Sequence, residues 1–543
     1  MPEWYTKKTL GSLADTMAER FGEREALVFN EERYTFGEVL ERINEVARGL
    51  IQLGIEPGDH VALWMVNRPE WIFAMYALAK IGAVQIPVNT RFRTHDLAYL
   101  LKQSDARYLI VQDVSGPVNY REMVWEVLKL PASGVRVEDP EYPEMQTVVM
   151  LGAEPHGGSV DWQAMLEAAD GDSDEILDAR AAAVDPDDPV FIMYTSGTTG
   201  FPKGVVHNHI MLRLIEERAF RLAMTEHDTI LNYLPLFHLF SYSEVALMSM
   251  LTGARQILVE TFNPDQCIKL VESERVSVVH GFETHLKDLI EAQERHHCDI
   301  SSLRMGLFAA GMQSGVPIVR KAVEALAPLI TVTAYGMSEM GAATTVGSLG
   351  DTVEQRAESS GYLAPGFDFK VVDPETGEKQ PVGEPGEIVF RGYGMMLGYY
   401  KKPTETAECY DDDGWFHTGD TGVVRADGYL RFLGRYKDML KVGGENVDPM
   451  EVEGLLLTVA GVQQVAVVAY PDRRLTDVPI AYVQKAEGSD LTESDVIDAC
   501  KGKVASFKIP RHVIFIDEFP MTASGKIRKV ELREDATQRL GRN

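Results

Sequence analysis

The chain has 543 residues, 45% hydrophobic and 25% charged, an ordinary globular balance at a length that exceeds one core. Its net charge of −29 sits almost wholly before residue 435: residues 435–543 carry 16 basic and 17 acidic side chains, the rest 37 and 65. A body that acidic is a poor nucleic-acid binder, and no uninterrupted apolar run reaches the roughly 18 residues that a spanning helix needs.

The opening MPEWYTKKTL lacks the apolar core of a signal peptide. Cys267, Cys298, Cys409 and Cys500 fall at no metal-ligand or redox spacing, which fits a reducing cytoplasm. Thr35 and Glu38 form a capping-box pattern before TFGEVLERINEVARGLIQLG, so the spacing predicts a helix ending at Gly54. HVALWM predicts a short apolar strand, PEWIFAMYALAKIG a helix starting after Pro69, VQIPV a strand, Thr94 another helix start and YLIVQ another strand. Such alternation belongs to parallel sheets covered by helices. Asp, Pro and Gly clusters between Pro131 and Pro189 read as a variable connector. Strands recur at VFIMY, QILVE, VSVVH, GLFAA and ITVTAY. VVRADGYLRFLGR predicts a hairpin turning at Asp427 and Gly428. The charge shift beside it puts a boundary at residues 434–438, giving domains 1–434 and 435–543, the second a small α+β unit.

The strongest local signal is Met193-Tyr194-Thr195-Ser196-Gly197-Thr198-Thr199-Gly200-Phe201-Pro202-Lys203-Gly204. Glycines let backbone N–H groups approach phosphate oxygens, hydroxyls donate further bonds, and the lysine adds charge. A Walker A loop needs Gly before the Lys and Ser or Thr after it; Pro202 and Gly204 stand there instead, which disfavours a P-loop NTPase. The plainer reading of these residues alone is a surface loop.

This segment resembles the phosphate-binding signature of the acyl-adenylate-forming superfamily, which includes acyl-CoA synthetases, luciferases and nonribosomal-peptide adenylation domains. Further segments resemble that family's motifs in its order: Tyr335-Gly336-Met337-Ser338-Glu339; Gly386-Glu387 with Gly398-Tyr399 and Pro403; Trp415 to Asp420; Gly434 to Asp438; Gly443-Gly444-Glu445-Asn446; and Pro520 to Lys526. The resemblance implies an α/β fold: a large N-terminal domain of helix-covered sheets, a β-barrel-like subdomain, and a small mobile C-terminal α+β domain.

It also implies site roles. Thr195, Ser196, Gly197, Thr198, Thr199, Gly200 and Lys203 would hold ATP's β- and γ-phosphates, with Glu339 and Thr195 as Mg²⁺ ligands. Tyr335, with Gly336, Met337 and Ser338, would flank adenine, with Gly311, Met312 and Gln313 at its edge; Asp420 and Arg435 would meet the ribose. Lys526 would stabilise the charge shared between the carboxylate and the α-phosphate. Lys437 marks the hinge about which the small domain would turn, exchanging Lys526 for the Gly443-Gly444-Glu445 hairpin that faces coenzyme A. His238 stands where the family flanks the acyl carbonyl and amino-acid-activating relatives carry Asp, which argues against α-amino acids.

Ser338 replaces the family's usual Thr, and Glu283 stands near the acyl pocket where Pro is usual; a peripheral carboxylate is the simpler reading of Glu283. His296-His297-Cys298 reads as a solvated helix end rather than a metal site. Phe237, Phe240, Phe282 and Met337 suggest a largely apolar acyl cavity, hence a fatty or other hydrophobic monocarboxylate. The expectation is an AMP-forming acyl-CoA ligase using ATP, Mg²⁺ and coenzyme A. Alternatives are an adenylate-forming enzyme with another acceptor, such as a carrier-protein thiol, and a binding protein with a decayed site. Lys203, Glu339, Asp420 and Lys526 together argue against decay.

Overall fold

Apolar, β-branched runs buried on both faces form the two large mixed sheets of the N-terminal body. The computed structural model describes residues 6–152, 157–168, 173–195, 202–309, 316–435, 438, 440–442, 445–447, 449–472, 474–501, 504, 506–521 and 527–541.

The eight-stranded sheet centres on parallel strands Val84–Pro87, His60–Trp64, Tyr108–Gln112 and Thr147–Leu151. Pro189–Thr195 joins it in parallel and turns back as Lys203–Asn208, with Gly398–Tyr399 at the edge beyond. Helix Phe36–Gln52 buries Val39, Ile43, Val46 and Leu50, a stripe at helical period. It starts as its sequence predicts: the Thr35 hydroxyl accepts the Glu38 N–H at 3.2 Å, and the Glu38 carboxylate accepts the Thr35 N–H at 2.7 Å.

The expected connector needs correcting. Within it Thr147–Leu151 is a fully buried strand paired with Tyr108–Gln112, and Ser173–Ala183 is a helix. The Asp, Pro and Gly residues mark turns around these elements, while the apolar TVVML run between them fills both faces of the sheet.

The ten-stranded sheet runs parallel through Glu25–Phe29, Arg255–Leu258, Thr229–Asn232, Val278–Val279, Met305–Ala309 and Ile330–Met337, then antiparallel into Ala342–Val346. The barrel-like unit is a four-stranded antiparallel sheet, Phe367–Val372, Gly386–Gly392, Phe416–Val424 and Leu430–Arg435. Gly428, at φ +83°, supplies the left-handed residue of its last turn.

The C-terminal region folds on a separate sheet in which Val462–Asp472 pairs with Thr476–Lys485, flanked by Leu440–Val442 and His512–Phe515. Helices Pro449–Leu456, Glu493–Cys500 and Lys529–Leu540 accompany it, which makes it α+β. Among the described residues no helix is long and apolar enough to cross a membrane.

Candidate active site

Parallel strands present ligand sites at their carboxyl ends, and three such ends matter here. Pro189–Thr195 leads into residues 196–201, Met305–Ala309 into residues 310–315, and Ile330–Met337 into the turn Ser338–Met340 that carries Glu339. Ser196, Gly197, Thr198, Thr199 and Gly200 lie outside the described residues, as do Gly311, Met312 and Gln313. The frame of the first loop is described: Thr195 pairs with Lys203 and Tyr194 with Gly204. A Cβ at Gly204 would come within 2.7 Å of Ile192 and 3.1 Å of the Tyr194 ring, so this position takes no side chain without a shift.

Lys203 and Glu339 come together through a third residue, Tyr399. The Lys203 ammonium lies 4.6 Å from the centre of the Tyr399 ring, and the Tyr399 hydroxyl donates to Glu339 Oε1 at 2.9 Å. Burial, and then the Glu339 carboxylate, hold that phenol well above the ordinary range, so it stays a donor. Lys203 and Tyr399 belong to the eight-stranded sheet, and Glu339 to a turn between two strands of the ten-stranded one; the cluster therefore bridges the two.

The Glu339 turn is fixed from three sides. The Met396 N–H donates to the Glu339 carbonyl at 2.8 Å, and His207 Nε2 lies 2.6 Å from the Ser338 carbonyl. Burial lowers His207 to about 4, so the ring is neutral at pH 7 and its N–H donates. At Gly336 a Cβ would fall 1.6 Å from the Ala342 carbonyl oxygen, so only glycine admits this approach of neighbouring strands. Behind the turn, Arg218 and Glu244, both fully buried, pair at 2.6 Å, and Arg218 donates to the Ala343 carbonyl at 2.8 Å.

Tyr335 donates to Asp420 Oδ2 at 2.7 Å, joining the ten-stranded sheet to the antiparallel unit. Its ring stacks with Phe432 at 5.3 Å and Phe390 at 6.0 Å, so packing fixes the ring's plane. Asp420 is itself buried and opposes Arg435 across the last hairpin. Glu387 accepts the Gly419 N–H at 2.9 Å and lies 2.8 Å from His417 Nδ1, which holds the chain just before Asp420.

His238 precedes the short helix Leu239–Ser241, its Nδ1 accepting the Phe240 N–H at 3.3 Å. Phe282 meets the His238 ring edge-on at 6.3 Å and Phe240 at 5.5 Å, so three of the residues expected around the acyl group form one aromatic cluster. Met337 ends its strand, half-buried beside the group that contains Tyr335. Glu283 opens helix Glu283–His296, where a carboxylate suits the helix N-terminus, and His296 ends it 2.9 Å from Asp265.

In the C-terminal region, Leu440–Val442 pairs antiparallel with Glu445–Val447, Val442 opposite Glu445; Gly443 and Gly444 lie outside the described residues. Lys437 and Lys526 also lie outside the described residues, as do the side chains of Arg435 and Glu445. The segment containing Lys526 is closed at its base by a bridge between Met521 and Ile527.

Residues 14–400 match the family described as AMP-binding enzyme, and residues 451–526 match the AMP-binding enzyme C-terminal domain. The chain belongs to the AMP-binding enzyme family. It is an ATP-using, AMP-forming ligase of that family. A Bacillus subtilis (strain 168) family member named as an acyl-CoA synthetase, YngI, is 36% identical over 535 residues, covering 97% of this chain and 96% of that protein. A Rhodococcus jostii (strain RHA1) propanoyl:CoA ligase, whose acyl group carries a methyl-dioxo-octahydroindenyl ring system, is 34% identical, covering 97% and 98%. Among solved structures, the anthranilate CoA ligase AuaEII in complex with anthranoyl-AMP superposes with a TM-score of 0.86 at 24% identity, covering 99% of both chains.

Proposed function

We propose that this AMP-binding enzyme is an acyl-CoA ligase that joins a hydrophobic monocarboxylate, a fatty acid by default, to coenzyme A through an acyl-adenylate. The observation that carries the reading is the Lys203–Tyr399–Glu339 cluster at the base of the glycine-and-hydroxyl loop. It sets a cation and a carboxylate where a triphosphate and its counter-ion would have to be held. The two named relatives, a synthetase and a ligase of acyl-CoA type, support coenzyme A as acceptor.

In this reading Thr195 to Lys203 grip the β- and γ-phosphates. Glu339 and the Thr195 hydroxyl are hard oxygen donors of the kind Mg²⁺ takes, and the ion supplies charge that offsets the phosphates. Tyr399 orients the Glu339 carboxylate, and the neutral His207 holds its turn. Tyr335 and Asp420 face the nucleoside. Lys526 neutralises the meeting of carboxylate and α-phosphate while pyrophosphate leaves. The domain that begins near residue 435 then turns about residues 434–438, and the Gly443-Gly444-Glu445 hairpin guides the thiol to the acyl carbonyl beside His238. Coupled to that turn, the two half-reactions never compete for one site. Among the described residues all four cysteines are free thiols, which agrees with a reducing cytoplasmic setting.

The test is a panel of short, medium, long-chain, aromatic, alicyclic and α-amino acids, measuring carboxylate-dependent pyrophosphate release and coenzyme A-dependent AMP release. Apolar monocarboxylates should give both and α-amino acids neither. AMP release indifferent to coenzyme A would point to a carrier-protein thiol as acceptor, and silence with every acid would overturn adenylate formation.

A further inference from the structure

The terminal helix Lys529–Leu540 directly follows the segment that carries Lys526, and its charged face is used in a specific way. Arg533 pairs with Asp438, the residue after Lys437 and the first described one of the C-terminal region. One turn earlier on the same face, Lys529 pairs at 2.6 Å with Glu453, a buried carboxylate on helix Pro449–Leu456 that also accepts the Val467 N–H at 2.6 Å. The helix is seated independently of either pair. Leu532 and Ala536 are buried, and the Tyr482 hydroxyl donates to Asp535 at 2.8 Å while lying 2.9 Å from the Leu532 carbonyl.

We infer that Asp438 and Arg533 are positioning residues: their ion pair fastens the first turn of the C-terminal domain to the helix that bears the Lys526 segment. The inference rests on the ligase reading above and deepens it. Upstream, the chain is held to the N-terminal body as far as Arg435, which pairs with Asp420. Downstream it is held from Asp438 onward. A domain that turns about residues 434–438 therefore has its first and last elements tied, so the turn moves the Lys526 segment with it and is not absorbed as slack. The pair is suited to this because its side chains are only 30% and 25% exposed, which spares it the screening that makes most surface pairs worth little. The second pair, to a carboxylate only 7% exposed, locks the same helix to the domain's first helix.

The experiment uses the full chain with Arg533→Gln, Asp438→Asn, and the charge-reversed double variant Asp438→Arg with Arg533→Asp. Each half-reaction is followed separately: pyrophosphate release from ATP and acid, and thioester formation from supplied acyl-AMP and coenzyme A. Thermal unfolding is recorded alongside, and rates are taken well below each melting point. Each single variant is expected to lose about tenfold in kcat for adenylation with KM for ATP and acid unchanged, because both substrates bind on the other domain. The reversed pair should recover most of that loss. A pair that only adds stability would lower the melting point and leave kcat alone. Single variants with parental kcat, or a reversed pair no better than the singles, overturn the inference. A parent enzyme silent in both half-reactions would instead overturn the ligase reading itself.

Discussion

The candidate-site carboxylates of the N-terminal body and the buried carboxylate of the C-terminal domain are held in opposite ways. In the N-terminal body, Glu339 and Asp420 each receive a phenol hydrogen bond, from Tyr399 at 2.9 Å and Tyr335 at 2.7 Å. In the C-terminal domain, Glu453 receives an ammonium, from Lys529 at 2.6 Å. A phenol orients a carboxylate without cancelling its charge, whereas an ammonium pairs the charge off. The first arrangement suits a group that must meet a metal ion or ribose hydroxyls; the second suits one that holds two helices together. Burial alone therefore does not identify a working carboxylate. The identity of its donor does.

Substitutions at each of these groups test the difference. The largest effect is expected at the charge donated from the other domain: Lys526→Ala should lower adenylation by about 10² to 10³, the usual cost of one transition-state donor. Thioester formation from supplied acyl-AMP should stay near the parental rate. Equal loss of both half-reactions in a rapid-quench assay would show that the lysine serves no single step. Next comes Tyr399→Phe, which removes the hydrogen bond to Glu339 and leaves the ring under Lys203. A charge-assisted bond of this type is worth about 1.5–3 kcal/mol, so kcat/KM for ATP should fall by about 10- to 100-fold, measured by initial rates over ATP concentration. An unchanged kcat/KM would mean that the Glu339 carboxylate needs no phenol to orient it.

The smallest effect is on stability against pH. His207, His209 and His285 are lowered to about 4 and His280 to about 3, each chiefly by burial. A histidine depressed in the fold contributes stability above its unfolded value of about 6.5 that is lost as pH falls toward the folded value, by about 1.4 kcal/mol per pH unit for each. All four lie in the N-terminal body, where the stability loss between pH 6.5 and 4 should concentrate. In the C-terminal domain, burial raises Glu453 despite the Lys529 ammonium. An acid raised in the fold takes up its proton there first, so its contribution runs the other way, gaining as pH falls. Urea denaturation followed at Trp64 and Trp71 in the body, against amide exchange in the C-terminal sheet, separates the two.

Much of this was legible in sequence where the signal is local. The Thr35–Glu38 box, the Pro69 helix start, the Asp427–Gly428 turn and the hairpin around Gly443-Gly444 each depend on residues within a few positions of one another. The Thr147–Leu151 strand was hidden because turn-forming neighbours dominate its surroundings, though the TVVML run itself was the available signal. Tyr399 stands in a motif that gives it no role, and His207 in none. They meet Glu339 and Ser338 across 60 and 131 residues of chain, distances that only the pairing of the two large sheets closes. Arg218 and Glu244, fully buried as a pair, likewise meet only in the fold.

The most direct measurement compares the two buried glutamates side by side: Mg²⁺ titration of carboxylate-dependent pyrophosphate release by Glu339→Gln and Glu453→Gln. The account predicts that Glu339→Gln raises the Mg²⁺ concentration for half-maximal rate and lowers kcat by about 10²-fold. It predicts that Glu453→Gln keeps the parental Mg²⁺ dependence and unfolds more readily. Parental Mg²⁺ dependence in Glu339→Gln, or an equal shift in both variants, would contradict it.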